Sequence, residues 1–228
     1  KLLACKLQYP DMESAVEADL NQLQVVLSLQ RRMDKALDSS EIADEIGARL
    51  REELVYIREA KQMRMYRHIL SSFPEIAIPK VEPTLSTSRL LTMSWLEGQS
   101  VLHYKTSDLV IRNHIASTIF KAWWYPLSHY GVIHGDPHSG NYTVRESDHG
   151  LNLLDFGCIR IFPPAFVGGV VALYHALAFN DRDQMAAAYE SWGFKNISNE
   201  LMDVLNIWAR FIYGPLLDDR VRTIADGL

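Results

Sequence analysis

Cysteine is scarce in this sequence of 228 residues, in which Cys5 and Cys158 are the only two and lie far apart. Two distant cysteines cannot form a disulfide framework or a zinc ligand set, which fits a reducing compartment. There is no run of roughly 18 or more apolar residues, so no transmembrane helix is expected within the residues shown. No signal-peptide pattern is expected either.

Positive charge is not in excess. Lys and Arg total 23 against 28 Asp and Glu, for a net charge of -5. A basic patch is the usual footprint of nucleic-acid binding, so nucleic acid is not an expected partner. Internal repeats and low-complexity tracts are also missing. The 48% hydrophobic and 22% charged residues that remain are typical of a globular protein with an ample core.

Hydrophobic periodicity predicts mixed strands and helices first and only helices last. The prediction comprises a strand at 2–8, a helix at 12–33, a longer helix opening at Ser39-Ser40-Glu41, a loop bracketed by Pro74 and Pro79, a strand at 89–96, a helix from Ser107 or Asp108 to His129 or Tyr130, a hairpin of 142–144 with 151–154, and helices at about 164–179, 182–192 and 199–213. We expect a fragment of a longer chain, because Lys1 to Leu7 reads as a strand already in progress and no terminating element precedes Leu228.

Two of the predicted helices carry residues at helical spacing that indicate which face of the helix is buried. The first carries an apolar stripe through Val16, Leu20, Leu23 and Leu27. The longer helix has an apolar stripe of Ile42, Ile46, Leu50, Leu54 and Ile57, and a second stripe of Glu52, Tyr56, Glu59 and Met63. Two carboxylates on a packed stripe predict that this side meets something polar inside the protein.

The strongest chemical signal is His134-Gly135-Asp136 with Asn141, followed by Asp155-Phe156-Gly157 after an apolar strand. This spacing places three oxygen-bearing side chains around one point. Phosphoryl transfer needs a positioned acceptor and magnesium, which prefers oxygen ligands. In kinases the first Asp faces the acceptor, while the Asn and the second Asp hold magnesium, so Asp136, Asn141 and Asp155 predict such a site.

Two other interpretations of these residues exist. Each residue taken singly is more often a turn or cap residue. His134, Asp136 and His138 could instead belong to a metallohydrolase-like metal site, which would need further ligands from other strand ends. For His138 we favour a hydrogen bond that braces the loop.

Lys6 is the second signal, because a lysine on an apolar strand is costly unless it is paired. In kinases such a lysine contacts the nucleotide phosphates and pairs with a helix glutamate. Glu59 is the preferred partner here, with Glu52 or Glu53 next. The alternative for Lys6 is an edge strand that faces water. Met93 and Trp95, on the strand at 89–96, are further candidates for contacting the nucleotide.

The segment Ala4 to Pro10 resembles the lysine strand of the UbiB family of atypical kinases. The helix at 12–33, Arg58-Glu59-Ala60, the loop at 134–141 and Leu153 to Gly157 follow in the family's order, so that the resemblance spans about residues 2–165. It implies an α+β, protein-kinase-like fold of two lobes, with a partial N-lobe at 1–95 and a mostly helical C-lobe at 96–228. Ser139 departs from the family's usual proline.

The resemblance also implies site roles. Lys6 and Glu59 would form the ion pair, Asp136 would be the catalytic-loop aspartate, and Asn141 and Asp155 would be the magnesium ligands. The implied function is an ATP-binding kinase or ATPase that supports ubiquinone biosynthesis. Implied partners are ATP, Mg²⁺, quinone precursors or membrane lipid, and quinone-biosynthesis enzymes. The implied location is cytoplasmic, peripheral to the inner membrane in a bacterium, or the matrix face in a mitochondrion.

Peptides are not the expected acceptor. Only five residues, Cys158 to Phe162, separate Gly157 from Pro163, and no Ala-Pro-Glu-like anchor follows. A small or lipidic acceptor, or water, is expected instead.

Two further functions remain open. A phosphotransferase of the aminoglycoside or choline kinase type is disfavoured by Gln8-Tyr9-Pro10 and by the inserted helix. A non-catalytic, pseudokinase-like scaffold for lipid or partner enzymes is disfavoured because Lys6, Asp136, Asn141 and Asp155 are all intact.

Overall fold

The computed structural model describes residues 2–33 and 40–221. They form two compact units, Lys1–Arg160 and Ile161–Leu228. The predicted helix opening at Ser39, the side chain of Ile42 and the chain end at 225–228 lie outside the described residues. The predicted lobe boundary at residue 95 stays a prediction.

The first unit mixes helices and strands, as predicted. In chain order its elements are β1 (Leu3–Leu7), α1 (Met12–Met33), α2 (Ser40–Glu53), α3 (Tyr56–Ile69), β2 (Ile76–Ala77), β3 (Leu90–Ser94), β4 (Gln99–Ser100), α4 (Leu109–Tyr130), β5 (Val132–His134), β6 (Tyr142–Val144) and β7 (Leu151–Leu153), with β8 (Ile159–Ile161) at the boundary between the units. Single 3₁₀ turns occur at Pro83–Leu85 and Ser139–Asn141, and a longer 3₁₀ segment at Val101–Thr106.

Strands β1 and β3 form an antiparallel ladder that sets the position of Lys6. Ala4 lies opposite Met93, and Lys6 lies opposite Leu91. Because side chains alternate along a strand, these four residues share one face of the ladder. Leu91 and Met93 are buried there. The lysine is therefore held on the inner, apolar face rather than on a face turned to water.

A four-stranded sheet, in the order β2-β7-β6-β4, carries the predicted hairpin. Strands β6 and β7 pair antiparallel, with Tyr142 opposite Leu153, as the alternation of residues predicted. Strand β2 adds in parallel to β7, so the loop between Pro74 and Pro79 also contains a short strand that was not predicted. The buried amide of Asn152 donates to the carbonyl of Glu97 and the hydroxyl of Thr143, each at 2.9 Å.

Helix α4 begins and ends where its capping residues predict. Asp108 is the N-cap residue, and Gly131 ends the helix with a left-handed φ of 67°. Glycine adopts that conformation without the steric penalty of a Cβ atom. Strand β5 follows directly and leads into His134, so the helix end positions the next functional segment.

The prediction of one long helix after residue 40 was wrong, because α2 ends at Glu53 and α3 starts at Tyr56. At the break, the N–H groups of Leu54 and Val55 bond three residues back instead of four. The N–H of Tyr56 donates to the carbonyl of Ser88 at 3.2 Å. A tertiary partner thus replaces the helical hydrogen bond and lets α3 take its own direction.

The apolar stripe predicted for the long helix is confirmed only in part, since Leu50 and Leu54 are half-buried whereas Ile46 and Ile57 are exposed. The buried positions of α2 are Ala43 and Gly47. A Cβ atom at Gly47 would lie 3.6 Å from the side chain of Leu20 on α1, so small residues allow close packing there. The second stripe is confirmed for Tyr56, Glu59 and Met63, which are buried on α3, but not for Glu52, which lies on α2 and pairs with Arg49 and Arg58.

The second unit is helical, as predicted. It contains α5 (Pro164–Phe179), α6 (Arg182–Ser191) and α7 (Asn199–Leu217), the last extending beyond its predicted end. Asp181 and Ser198 cap α6 and α7 by accepting hydrogen bonds from backbone N–H groups. The core of this unit is apolar and centres on the fully buried Met185. Within residues 2–33 and 40–221, no helix combines the length and apolarity needed to cross a membrane.

Candidate active site

The predicted ion pair between Lys6 and Glu59 is present. The Lys6 ammonium donates to both carboxylate oxygens of Glu59, at 3.0 and 2.9 Å. Glu59 is only 2% exposed, and its Oε1 also accepts from the N–H of Phe156 at 3.3 Å. A buried carboxylate with this many donors is compensated for its loss of water. The glutamate thereby joins β1 to the Asp-Phe-Gly segment.

Lys6 also contacts the carboxylate of Asp155, at 2.8 Å from Nζ to Oδ2. The other oxygen, Oδ1, accepts from the N–H of Gly157 at 2.8 Å. Burial alone would lower the pKa of Lys6, but the charge of Glu59 and the bonds to Asp155 outweigh it and raise the pKa. The lysine therefore stays charged between two acidic side chains.

The pKa values of the two carboxylates that contact Lys6, those of Glu59 and Asp155, are shifted in opposite directions. Burial raises the pKa of Glu59, which Lys6 opposes only in part. Burial also acts on Asp155, but the bond from Lys6 and the N–H of Gly157 outweigh it and lower the pKa. Asp155 is thus held ionised, as a metal ligand must be.

The alternative partner Glu52 is not near Lys6. Its carboxylate pairs with Arg49 and Arg58, at 2.7 and 2.5 Å. Because the chain breaks between α2 and α3, Glu52 and Glu59 no longer share one helix face. The break is what allows Glu59 alone to turn inward.

Asp136 and Asn141 meet across the catalytic loop. A one-turn 3₁₀ helix at Ser139–Asn141 brings the Asn141 side chain back toward Asp136. Its Nδ2 donates to the Asp136 carboxylate at 2.9 Å and to the Asp136 carbonyl at 3.1 Å. This arrangement orients the amide so that its oxygen, Oδ1, faces away from Asp136 and is available as a ligand.

His134 links the catalytic loop to the Asp-Phe-Gly segment. Its Nδ1 accepts from the N–H of Asp136 at 3.2 Å, so Nε2 carries the proton and donates to the carbonyl of Asp155 at 2.8 Å. The ring is buried and lies 5.9 Å from that of Phe156. His134 therefore fixes the position of the loop at 134–141 relative to the Asp-Phe-Gly segment.

The metal site proposed from His134, Asp136 and His138 is contradicted. Both ring nitrogens of His134 are used by the backbone, and Nδ1 of His138 accepts from the N–H of Gly140 at 3.1 Å. Among residues 2–33 and 40–221, no cluster of three or more His, Cys, Asp or Glu side chains could hold a metal. His138 braces its loop, as predicted.

Asn141 and Asp155 fit magnesium by their chemistry. Both offer oxygen, the ligand type that magnesium prefers, and the ion usually completes its shell with phosphates and water rather than with a full protein cage. The ligand assignments, like the other site roles, remain predictions.

Met93 lies on the face of the β-ladder that carries Lys6, where it is buried opposite Ala4. Trp95 is 51% exposed, and its indole N–H donates to Glu97 at 3.0 Å. The nucleotide contacts of both residues stay predictions.

Glu53 adds a carboxylate that sequence reasoning considered only as a partner for Lys6. Its Cγ lies 3.7 Å from where a Cβ at Gly157 would be. Partial desolvation, followed by the charge of Asp155, raises the pKa of Glu53. Its place at the end of α2 depends on the helix break, so no residue pattern indicated it.

Comparison with known proteins gives a consistent picture. A family model described as "ABC1 atypical kinase-like domain" matches residues 1–189. The atypical kinase COQ8B, mitochondrial, of Danio rerio is 28% identical over 182 residues, covering 80% of this chain and 29% of that protein. The atypical kinase COQ8, mitochondrial, of Saccharomyces cerevisiae is 25% identical over 162 residues, covering 71% of this chain and 32% of that protein.

A solved structure of Rv3197 with erythromycin from Mycobacterium tuberculosis superposes with a TM-score of 0.67 at 21% identity. It covers 97% of this chain and 60% of that one. The likeness supports the α+β, protein-kinase-like fold. The chain spans about a third of the length of the curated relatives it matches.

Proposed function

The chain belongs to the UbiB family of ABC1 atypical kinase-like domains, and on that premise we propose that it binds ATP with magnesium and uses the nucleotide in support of ubiquinone biosynthesis. The acceptor of the phosphoryl group is a small or lipidic molecule, or water. Peptides are not the acceptor.

The observation that carries this proposal is the chain of contacts through Lys6. One ammonium joins Glu59 at 2.9 Å and Asp155 at 2.8 Å. A buried glutamate paired with a half-buried lysine that also fixes a second carboxylate contributes little to stability by itself. Their use is to prepare a site for phosphates and a cation.

Each side chain has a distinct task in this proposal. Lys6 binds phosphate oxygens, and Glu59 keeps the lysine aimed at them. Asn141 and Asp155 would hold magnesium through their side-chain oxygens, and the bound ion would supply positive charge that stabilises the phosphates during transfer. Asp136 orients the acceptor oxygen and takes its proton, with its carboxylate held by the amide of Asn141.

The short interval after Gly157 supports a non-peptide acceptor. Five residues leave no room for the activation segment on which kinases order an extended peptide. Both relatives described above are named as mitochondrial. We accordingly propose a location at the matrix face of the inner membrane in a eukaryote, or at the cytoplasmic face in a bacterium, with quinone precursors, membrane lipid and quinone-biosynthesis enzymes as partners.

The rival functions have weaker support. A non-catalytic scaffold does not need a charged lysine, two partnered carboxylates and an oriented Asn141 amide together. The aminoglycoside or choline kinase type does not account for the inserted pair α1 and α2, which pack together through Leu20 and Gly47.

Thermal-shift measurements with the full-length protein test the metal assignment. We expect Mg²⁺ with ATP to stabilise the wild type and to stabilise Asp155→Asn far less, since the variant loses an anionic ligand. Asp148→Asn is a matched control, because Asp148 pairs with Arg145 at 2.7 Å in the hairpin turn. Equal magnesium-dependent stabilisation of the wild type and Asp155→Asn would falsify the assignment.

A further inference from the structure

Two arginines of the first unit share a single carboxylate. Arg49, on α2, donates to Oε1 of Glu45 at 2.7 Å. Arg160, which follows the Asp-Phe-Gly segment, donates to the same oxygen at 3.2 Å. Glu45 is 56% exposed, whereas Arg49 and Arg160 are 34% and 29% exposed. The guanidinium groups are thus better buried than the acid that joins them.

This pair lies beside the catalytic loop. The N–H of Gly135, the residue before Asp136, donates to the carbonyl of Cys158 at 2.6 Å. A Cβ atom at Gly135 would lie 2.8 Å from the Cys158 sulfur and 3.7 Å from Cγ of Arg160. The loop that carries Asp136 therefore packs directly on the stem of Arg160.

Arg49 approaches the same place from α2. The pKa of Cys158 is raised by burial and by the negative charges of Glu53 and Asp136, and Arg49 opposes this rise. Arg49 therefore places a positive charge near a thiol that lies against Gly135, and it meets Arg160 at Oε1 of Glu45. The two cationic side chains converge on one carboxylate from two different elements.

Within the ion pairs of this cluster, three guanidinium groups meet two carboxylates, because Glu45 receives Arg49 and Arg160 while Glu52 receives Arg49 and Arg58. Glu53 and Asp136 add negative charge beside Cys158. Exposed ion pairs contribute little to stability, so the exposed Glu45 can be displaced by another anion. Guanidinium groups suit carboxylate and phosphate, which they bind through paired hydrogen bonds.

We propose that Arg49 and Arg160 bind an oxyanion of the acceptor, a carboxylate or a phosphate, which takes the place of Glu45. The inference rests on the proposed function, because the acceptor's reacting oxygen must then face Asp136. It restricts that acceptor to anionic molecules. Glu45 acts as an internal substitute for the anion when no acceptor is bound.

The first measurement is binding without nucleotide, by the full-length protein. One probe is 4-hydroxybenzoate, with the neutral 4-hydroxybenzamide as its matched control. The other is phosphatidylglycerol vesicles, with neutral phosphatidylcholine vesicles beside them. The soluble and vesicle probes separate a free carboxylate from a lipid phosphate as the source of the oxyanion.

The variants distinguish a binding site from a structural tether. We expect Arg49→Gln and Arg160→Gln each to raise the Kd for the anionic probe about tenfold, equivalent to about 1.4 kcal/mol of binding free energy. Glu45→Gln removes the competing acid and should strengthen binding several-fold, a gain that a tether does not predict. Arg51→Gln, on the same helix but paired with Glu17 at 2.6 Å, should leave binding unchanged.

Unchanged affinity in both arginine variants, or weaker binding in Glu45→Gln, overturns the proposal. So does a wild type that binds neither anionic probe better than its neutral control. Since these assays contain no ATP, they succeed or fail independently of magnesium-dependent ATP binding, which decides the proposed function separately.

Discussion

The two compact units bury different kinds of side chain. The first places Glu59 and His134 in its interior and gives each of them hydrogen-bond partners. Among the described residues of the second unit, Asn206 is the only buried polar one outside the tyrosines, and it accepts from the Tyr189 hydroxyl at 2.8 Å. Its remaining core is apolar. Burying charged and polar groups lowers the stability that the first unit could otherwise reach, whereas the buried side chains of the second unit contribute mainly through apolar packing.

This difference in buried side chains explains why the candidate active site lies in the first unit. A buried charge is tolerated only when its partners are in place, so the charges of the first unit specify one arrangement of β1, α3 and the Asp-Phe-Gly segment. An apolar core specifies volume and shape but aims no side chain at a ligand. Substitutions in the two units should therefore separate activity from stability.

The largest effect is expected from Asp136→Asn. The substitution keeps the size of the side chain but removes the proton acceptor, so ATP turnover should fall about 10²–10⁴-fold. The unfolding midpoint should change little, because Asp136 contacts the loop amide of Asn141 rather than the core. Phosphate release measured with membranes present tests this.

A parallel radiolabel assay with a broad peptide library should give no labelling by the wild type. Robust peptide labelling that disappears in Asp136→Asn would restore a protein-kinase function. Turnover equal to that of the wild type would remove Asp136 from the proposed machinery.

In the second unit, Met185→Ala should act on stability alone. Met185 is fully buried, and its truncation leaves a cavity in the apolar core, which should lower the free energy of unfolding by about 2–5 kcal/mol. Magnesium-dependent ATP affinity should be unchanged, since Met185 packs within its own unit. Urea unfolding and nucleotide titration of the folded protein measure the two quantities. An ATP affinity that fell together with stability would contradict the separation of activity, in the first unit, from stability, in the second.

The smallest effect concerns the hairpin turn between β6 and β7. The bond from Arg145 holds the pKa of Asp148 at about 2, below its ordinary 3.8. Because the folded pKa is the lower one, this stabilisation is present above about pH 3.8 and is lost as the pH falls toward 2. Asp148 is half exposed, so solvent screening limits the gain to about 1 kcal/mol or less.

Urea unfolding of the wild type and Asp148→Asn at pH 7 and pH 3 measures the difference in their free energies of unfolding. That difference should be smaller at pH 3 than at pH 7. A gap that is constant or wider at pH 3 would show that Asp148 acts through packing rather than charge.

Local signals in the sequence were sufficient for several elements. The ends of α4 were predictable from neighbouring residues, since Asp108 is the N-cap residue and Gly131 ends the helix in the left-handed conformation. The alternation in β6 and β7 predicted their pairing for the same reason. The resemblance of Ala4 to Pro10, of the loop at 134–141 and of Leu153 to Gly157 to the UbiB family predicted the family, which is confirmed.

Other features depended on contacts distant in sequence. The division of the long helix into α2 and α3 could not be predicted, because the N–H of Tyr56 bonds to Ser88 far along the chain. Ile46 appeared to be a core residue by its apolarity, yet Gly47 is buried since α1 packs closest there. Periodicity describes one helix at a time and does not show which neighbour covers it.

The sequence by itself predicted which side chains would serve phosphoryl transfer and in what order they follow. Residue type and short spacing suffice for that prediction, because magnesium prefers oxygen ligands and these side chains carry them. Only the tertiary structure decided between Glu59 and the alternatives as the partner of Lys6, and brought Arg49 and Arg160 together on Glu45. These meetings join segments far apart in the chain, so they depend on how helices and strands pack, and no local pattern encodes them.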